Sequence, residues 1–361
     1  MLKIGIYVGS SSENPQNVEK ELIAWGKSLN NYQTELFGST QVPESVKKYF
    51  EYYQTITGRY QNPISKIRLV FKQTREYIRN ADPDILIQFW CYPTHGPGLT
   101  AAAKVSGTTS IARFPGDHFG EYNAFGGHRR VLAYGLHNII GRLPLHLTDK
   151  MITLGPYGSD EVTRRGVDRD DVHILPPAAG VEERFSPTTN KERVRKKLGI
   201  PVEHRVFLYV GRLSMRKGMD FLQDVIEELQ GGENISFVLV GSGEYQQEFR
   251  QVSQRINIIM PGYVDYQNIH EYYKAADVYV HPSPYEGIPL SILEALNCEL
   301  PVVARNAGDI PFIIENVVDS PTEMADILNS SNYRVRWKNK QMFSHKYHTQ
   351  KIKSIIEEVR T

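Results

Sequence analysis

The sequence predicts an α/β protein of two doubly wound, Rossmann-like domains. Three observations carry this. At 361 residues the chain is too long for one ordinary core and suits two domains of roughly 150 to 200 residues each. Short runs rich in Val and Ile alternate with helical patterns, as strands buried on both faces of a parallel sheet do. The alternation breaks at the Pro-rich "HILPPAAGVEERFSP" and then restarts. A linker is therefore placed near Pro176 to Pro187, with domains over 1–178 and 179–343 and a closing segment over 344–361.

Taken in order, "LKIGIYVG" is a strand feeding "PQNVEKELIAWGKSL", whose Val18, Leu22, Ile23 and Leu29 keep near-helical spacing. "DILIQFW" precedes the helical "GPGLTAAAKVSG", and "TSIARF" and "KMITL" continue the series. After the linker come the strands "RVFLYVG", "ISFVLVG", "INIIM", "VYVHP" and "PVVAR". Between them lie the helical patterns "GMDFLQDVIEELQ", "EYQQEFRQVSQRI", "IHEYYKAA" and "IPLSILEAL". In the tail, Ile352, Ile355, Ile356 and Val359 have helical spacing, so it is expected to dock as a helix. Ligands of doubly wound sheets collect at the carboxyl ends of strands, so the loops after "YVG", "VLVG", "MPGYV" and "VHPSPYEG" are expected to meet around one crevice.

Composition narrows the function classes. Apolar residues make up 40% and charged residues 23%, and no apolar run approaches the roughly 20 residues that cross a bilayer. A net charge of +1 gives no reason to expect a nucleic-acid partner. Cys91 and Cys298 lie far apart in apolar stretches and read as buried free thiols. The start "MLKIGIYVGSSSENP" lacks the pattern of a secretory signal, which sets a cytoplasmic expectation. Between Glu44 and Asn80 eight Lys or Arg face three Glu. This segment reads as a solvated helical face or as a peripheral contact with an anionic membrane surface or charged acceptor.

Phosphate chemistry is the first candidate. Gly9 and Ser10 follow the first strand, where a glycine permits close backbone approach to an anion. In "YVGRLSMRKG", Arg212 follows the strand-end Gly211, and Lys217 lies at or near the next helix start. The two cations can therefore converge on one anion with help from the helix dipole. Gly241 and Gly243 of "GSGEYQ" supply only two of the three glycines of a dinucleotide fingerprint. In "SPYEGIPL", Glu286 precedes a turn of Gly287, Ile288, Pro289 and Leu290 that offers backbone amides, with Pro289 suited to a first helical turn. Glu294 lies about 12 Å further along if the segment is helical, too far for the two carboxylates to share one proton or one metal. They would hold different parts of one long ligand. Hydroxyls at two places and phosphate near Arg212 and Lys217 describe a nucleotide sugar.

These stretches, with "HPSPYEGIPLSILEALNCELPVVA" and "NAGDIP", resemble the C-terminal domain of the retaining GT-B glycosyltransferases, family 4 (glycosyl transferases group 1), including its Glu-x7-Glu spacing. "DKMITLGPYGSDEVTRRGVDRDDVHILPPAAGVEERFSP" resembles the family's interdomain passage. The resemblance implies that Arg212 and Lys217 hold the donor diphosphate, Glu286 contacts the transferred sugar and Glu294 the ribose. It also implies the GT-B architecture, in which the two Rossmann-like domains face a central cleft, and a final helix that crosses back onto the N-terminal domain. The sequence departs from the family at Glu299, where Gly is usual, and at Gly308 to Phe312, where a Gly-Gly-x-Pro-Glu element is usual. The family's histidine after an N-terminal strand aligns near Pro115 in "SIARFPGDHFGEY", which makes Asp117 or His118 the candidate for a donor or acceptor contact. His95 is a further candidate, or a capping residue.

The expected activity is transfer of a hexosyl group from a nucleotide-diphosphate sugar to an acceptor hydroxyl of a saccharide or lipid-linked acceptor. Retention of configuration is expected, with no cofactor and no essential metal, and with a peripheral position at the inner membrane face as a further expectation. A sugar-nucleotide epimerase of the same architecture and a non-catalytic sugar-nucleotide-binding subunit are the competing readings.

Overall fold

A computed structural model describes residues 1–9, 15–38, 42–55, 58, 61–89, 94–116, 119–178, 183–229, 234–253, 256–330 and 333–360. The chain divides into two compact units, Met1–Ala179 with Gln341–Thr361, and Gly180–Lys340.

The first unit is a parallel sheet of seven strands: β1 (Lys3–Tyr7), β2 (Gln33–Gly38), β3 (Glu51–Gln54), β4 (Ile85–Gln88), β5 (Thr109–Phe114), β6 (Lys150–Thr153) and β7 (Val172–Ile174). Their order is β3-β2-β1-β4-β5-β6-β7. Successive side chains of a strand point to opposite faces. Ile4, Ile6, Ile85 and Ile87 accordingly pack on one side with Trp25 of the helix Pro15–Ser28, and Tyr7 and Leu86 on the other with Val70, Tyr77 and Leu99. The tail forms the helix His345–Glu358, capped by the Ser344 hydroxyl, which accepts from the Tyr347 amide at 3.2 Å. Its Ile352, Ile355 and Ile356 belong to the Trp25 side of this core.

The basic segment is not helical throughout. It holds the short turn of helix Glu44–Lys47, the edge strand β3 and the helix Pro63–Ala81. That long helix starts at an Asn62–Ser65 capping box and turns Val70, Gln73, Thr74 and Tyr77 inward. Strands β2, β3 and β7 have no counterpart in the sequence reading. β2 is polar at Gln33 and Glu35, and Glu35 is accommodated because the Tyr77 hydroxyl donates to it at 2.9 Å and Lys3 pairs with it at 2.9 Å. Cys91 lies outside the described residues; Cys298 is buried and free.

The second unit is a parallel sheet of six strands: β8 (Arg205–Val210), β9 (Ile235–Val240), β10 (Asn257–Gly262), β11 (Val278–His281), β12 (Val302–Arg305) and β13 (Val317–Val318). The order is β10-β9-β8-β11-β12-β13. The chain builds outward from β8 to β9 and β10, then returns to β8's other side with β11. The carboxyl ends of β8 and β11 therefore flank the topological switch point, where open sheets bind ligands. Among the described residues no helix is long and apolar enough to cross a membrane.

Candidate functional site

Gly211 follows β8, and the loop it opens is tied to the loop after β9. The Leu213 amide donates to Ser242 O at 3.0 Å, and Tyr245 N donates to Leu213 O at 3.2 Å. A Cβ on Gly241 would lie 1.9 Å from Gly211 O, and one on Gly243 would lie 2.1 Å from Leu213 O. These glycines, expected at the donor, have a packing reason of their own: only without side chains can the two loops approach this closely.

Lys217 closes a single 3₁₀ turn, Met215–Lys217; the helix Met219–Glu228 begins only after Gly218. Gly218 adopts φ +73°, and a Cβ there would meet Pro282 O at 2.1 Å. The turn therefore seats directly on the backbone leaving β11. This brings the Lys217 ammonium to 2.6 Å from Glu286 Oε1. Arg212, in the loop after β8, is exposed, and its backbone carbonyl accepts from the buried Tyr209 hydroxyl at 2.9 Å.

Glu286 precedes the helix Leu290–Asn297 by a turn. Pro289, expected in the first helical turn, occupies the cap position just before it, and Gly287 and Ile288 are buried while Leu290 is half-buried. Behind the carboxylate stands His281, buried at the end of β11, with Nε2 3.3 Å from Glu286 Oε1 and Nδ1 3.4 Å from the Tyr279 hydroxyl. Burial alone would raise the Glu286 carboxyl. The Lys217 ammonium and the contact with His281 outweigh it and hold the group well below the usual carboxylate range, so it is an anion. The segment is clamped from the far side as well. Gly308 has φ +51°, a Cβ there would lie 1.8 Å from Glu286 O, and Asp309 N donates to Gly287 O at 3.3 Å.

Glu294 is 4% exposed on the helix Leu290–Asn297, and its Oε2 accepts from the Tyr273 hydroxyl at 2.8 Å. Burial and then the Glu294 charge push the Tyr273 hydroxyl well above its ordinary pKa, so it remains a donor. The ring of Tyr273 lies 5.7 Å from that of Tyr279. Lys217, Glu286, His281, Tyr279, Tyr273 and Glu294 thus form one connected set behind the switch point.

His281, Tyr273 and Tyr279 were missed by sequence reasoning. Alternation along "VYVH" was the available signal, since Val278 and Val280 face the core and Tyr279 and His281 the opposite side.

In the first unit Gly9 is buried at the end of β1, while Ser10, Asp117 and His118 lie outside the described residues. Pro115 is half-buried after β5. His95 is 1% exposed, with Nδ1 3.2 Å from the Thr94 hydroxyl and its ring against Tyr7. It occupies the cap position of the helix Gly96–Ser106, yet its side chain makes no cap bond. Among the described residues no group of three or more His, Cys, Asp or Glu is arranged to hold a metal ion.

Residues 190–330, most of the second unit, match the family Glycosyl transferases group 1. TuaC of Bacillus subtilis strain 168, named as a teichuronic acid biosynthesis glycosyltransferase, is 25% identical over 272 residues, 75% of this chain and 65% of its own. The alpha-galactosylglucosyldiacylglycerol synthase of Streptococcus pneumoniae strain R6 is 26% identical over 177 residues, 46% of each chain. The matches span less than two thirds of these relatives' own lengths. The solved structure of Anabaena HepE in complex with UDP-glucose matches over 100% of both chains with a TM-score of 0.68 at 17% identity. The fold is the one of two parallel-sheet, Rossmann-like domains found in GT-B glycosyltransferase structures.

Proposed function

We propose that the chain is a retaining glycosyltransferase that moves a hexosyl group from a nucleotide-diphosphate sugar to an acceptor hydroxyl without an essential metal. The observation that carries the reading is the pairing of Lys217 with Glu286 at the switch point between β8 and β11, with Arg212 exposed in the loop after β8. An ammonium has three N–H donors and Glu286 takes one, which leaves others for phosphate oxygens. Cleavage of the anomeric bond gathers negative charge on the β-phosphate. The Arg212 guanidinium and the Lys217 ammonium stabilise it as preorganised donors, the role a divalent ion has in metal-dependent transferases. Glu286, held anionic and fixed by His281, accepts from sugar hydroxyls. Glu294, held by Tyr273, accepts from the ribose. The departing phosphate takes the acceptor's proton, so no protein nucleophile is assigned.

The HepE complex contains UDP-glucose, which makes UDP-hexoses the first donors to test. The S. pneumoniae relative is named as a synthase of a glycosylated diacylglycerol, which supports a lipid-linked acceptor beside a saccharide one. The test is NMR of the product's anomeric centre, with transfer run in EDTA. Retained configuration at an undiminished rate is expected; an inverted product or a rate abolished by EDTA contradicts the proposal.

A further inference from the structure

Large apolar side chains exposed to solvent gather in one run of the first unit. Val131 is 72% exposed, Leu132 71% and Ile139 67%, and Phe125, Tyr134 and Leu143 are also exposed. The helix Gly127–Tyr134 buries none of its residues. Eight residues are too few for a helix to be stable in water by itself. Toward the unit this one makes a ring contact of Tyr134 with Tyr122 at 5.1 Å and a bond from Arg130 to Asn123 Oδ1 at 2.7 Å, while Val131 and Leu132 stay exposed. It is fixed from behind by the next turns, where His137, Asn138, Pro144 and Leu145 are buried and Asn138 Nδ2 donates to Phe119 O at 3.1 Å.

Charge identifies what would cover such a surface. From residue 122 to residue 148 the sequence has no Asp or Glu, while Arg129, Arg130 and Arg142 are exposed among the apolar side chains. A second copy of this chain docked face to face would set three arginines against their own equivalents with no carboxylate in the segment, an arrangement that repels. An anionic bilayer is complementary on both counts: the apolar side chains enter the boundary between headgroups and acyl chains, and the guanidinium groups stay at the phosphates. The helix Pro63–Ala81 offers only half of this. Its Arg68, Lys72, Arg75 and Arg79 are exposed, but its Val70 and Tyr77 are packed inside and of its large apolar residues only Ile64 is exposed.

We infer that residues 125–143 form a docking surface for an anionic lipid bilayer. It is independent of the donor-site reading, because none of its residues belongs to that site. The test is flotation of the full chain with vesicles of phosphatidylcholine alone or with about 30% phosphatidylglycerol, at low and high salt. Binding to the anionic vesicles that salt weakens is expected. Arg129→Gln with Arg130→Gln should weaken it roughly thirtyfold, about fivefold for each arginine near the surface. Val131→Ser with Leu132→Ser should weaken it by about tenfold or more through lost insertion. Lys72→Gln with Arg75→Gln should leave it unchanged. The proposal is overturned if the wild type ignores anionic vesicles, if either pair in the 125–143 run binds as the wild type does, or if the Lys72 and Arg75 pair carries the effect. It is equally overturned if sedimentation shows a dimer that Val131→Ser with Leu132→Ser dissociates. Nucleoside-diphosphate binding, measured on the same samples, reports on the donor site separately.

Discussion

Replacing Lys217 by Met perturbs the second unit in a way that separates stability from catalysis. Its ammonium lies 2.6 Å from Glu286 Oε1, with side-chain exposures of 32% and 12%. Exposed ion pairs contribute ~0–1 kcal/mol, whereas stranding one partner of a fully buried pair costs ~3–5 kcal/mol. This pair lies between those limits, and His281 remains 3.3 Å from the carboxylate to share its charge. Lys217→Met should therefore cost about 1 to 3 kcal/mol in urea unfolding. Adding Glu286→Gln should recover part of that loss, because no carboxylate is left without its cation, while turnover should stay low. At saturating donor, kcat in Lys217→Met should fall by about 10² to 10³ if the ammonium acts as a preorganised donor to the leaving phosphate. Turnover within about tenfold of wild type would refute the catalytic part, and strictly additive losses in the two-residue cycle would refute the coupling. Acid adds an independent check. A carboxyl whose folded pKa is depressed contributes stability that is complete above its unfolded value near 4.5 and is lost as pH falls toward the folded one. Glu286→Gln should therefore flatten the fall in stability below that pH.

Other expectations follow from single contacts. Gly308→Ala should force the Glu286 backbone aside, costing more than ~1 kcal/mol in a melt and lowering kcat as well. Tyr273→Phe removes a donor from the buried Glu294 and should weaken donor binding by about 1 to 3 kcal/mol in calorimetry. Glu299, where the resembled family usually has Gly, adopts φ +55°, so Glu299→Gly should raise stability by about 1 kcal/mol or less. Burial, with Arg113 and His345 nearby, lowers the His348 pKa to about 3. Stability carried by its neutral form is complete above the unfolded value of 6.5 and falls between there and about 3, by up to ~1.4 kcal/mol per pH unit. His348→Gln should remove that slope.

The central strands were legible because burial on both faces leaves Val and Ile in runs: "RVFLYV" and "ISFVLV" are β8 and β9. The strands that escaped have weaker signatures. β3 and β7 are sheet edges, β13 is an edge of two residues, and β2 hides a buried glutamate satisfied by Tyr77 and Lys3 from distant parts of the chain. Arg212, Lys217, Glu286 and Glu294 could be singled out because charged groups at strand ends and in an apolar helix need a reason. Their supports could not. Tyr273 sits on the helix Tyr266–Ala275, 21 residues before Glu294, and only the fold brings the hydroxyl to the carboxylate. The same holds for the glycines: Gly241 and Gly243 could be read as an incomplete dinucleotide fingerprint near the donor, but their loop-to-loop approach depends on partners at Gly211 and Leu213 that only the fold brings close.

The most direct test of the donor site is titration of the wild type and Glu294→Ala with UDP, GDP, ADP and their hexose conjugates in EDTA, followed by thermal unfolding. At about 100 times Kd a bound nucleotide adds near 2.7 kcal/mol, a clear shift in Tm. The account predicts that one nucleotide family stabilises the wild type and loses most of that effect in Glu294→Ala. No stabilisation by any of them, or an equal shift in the variant, would contradict it.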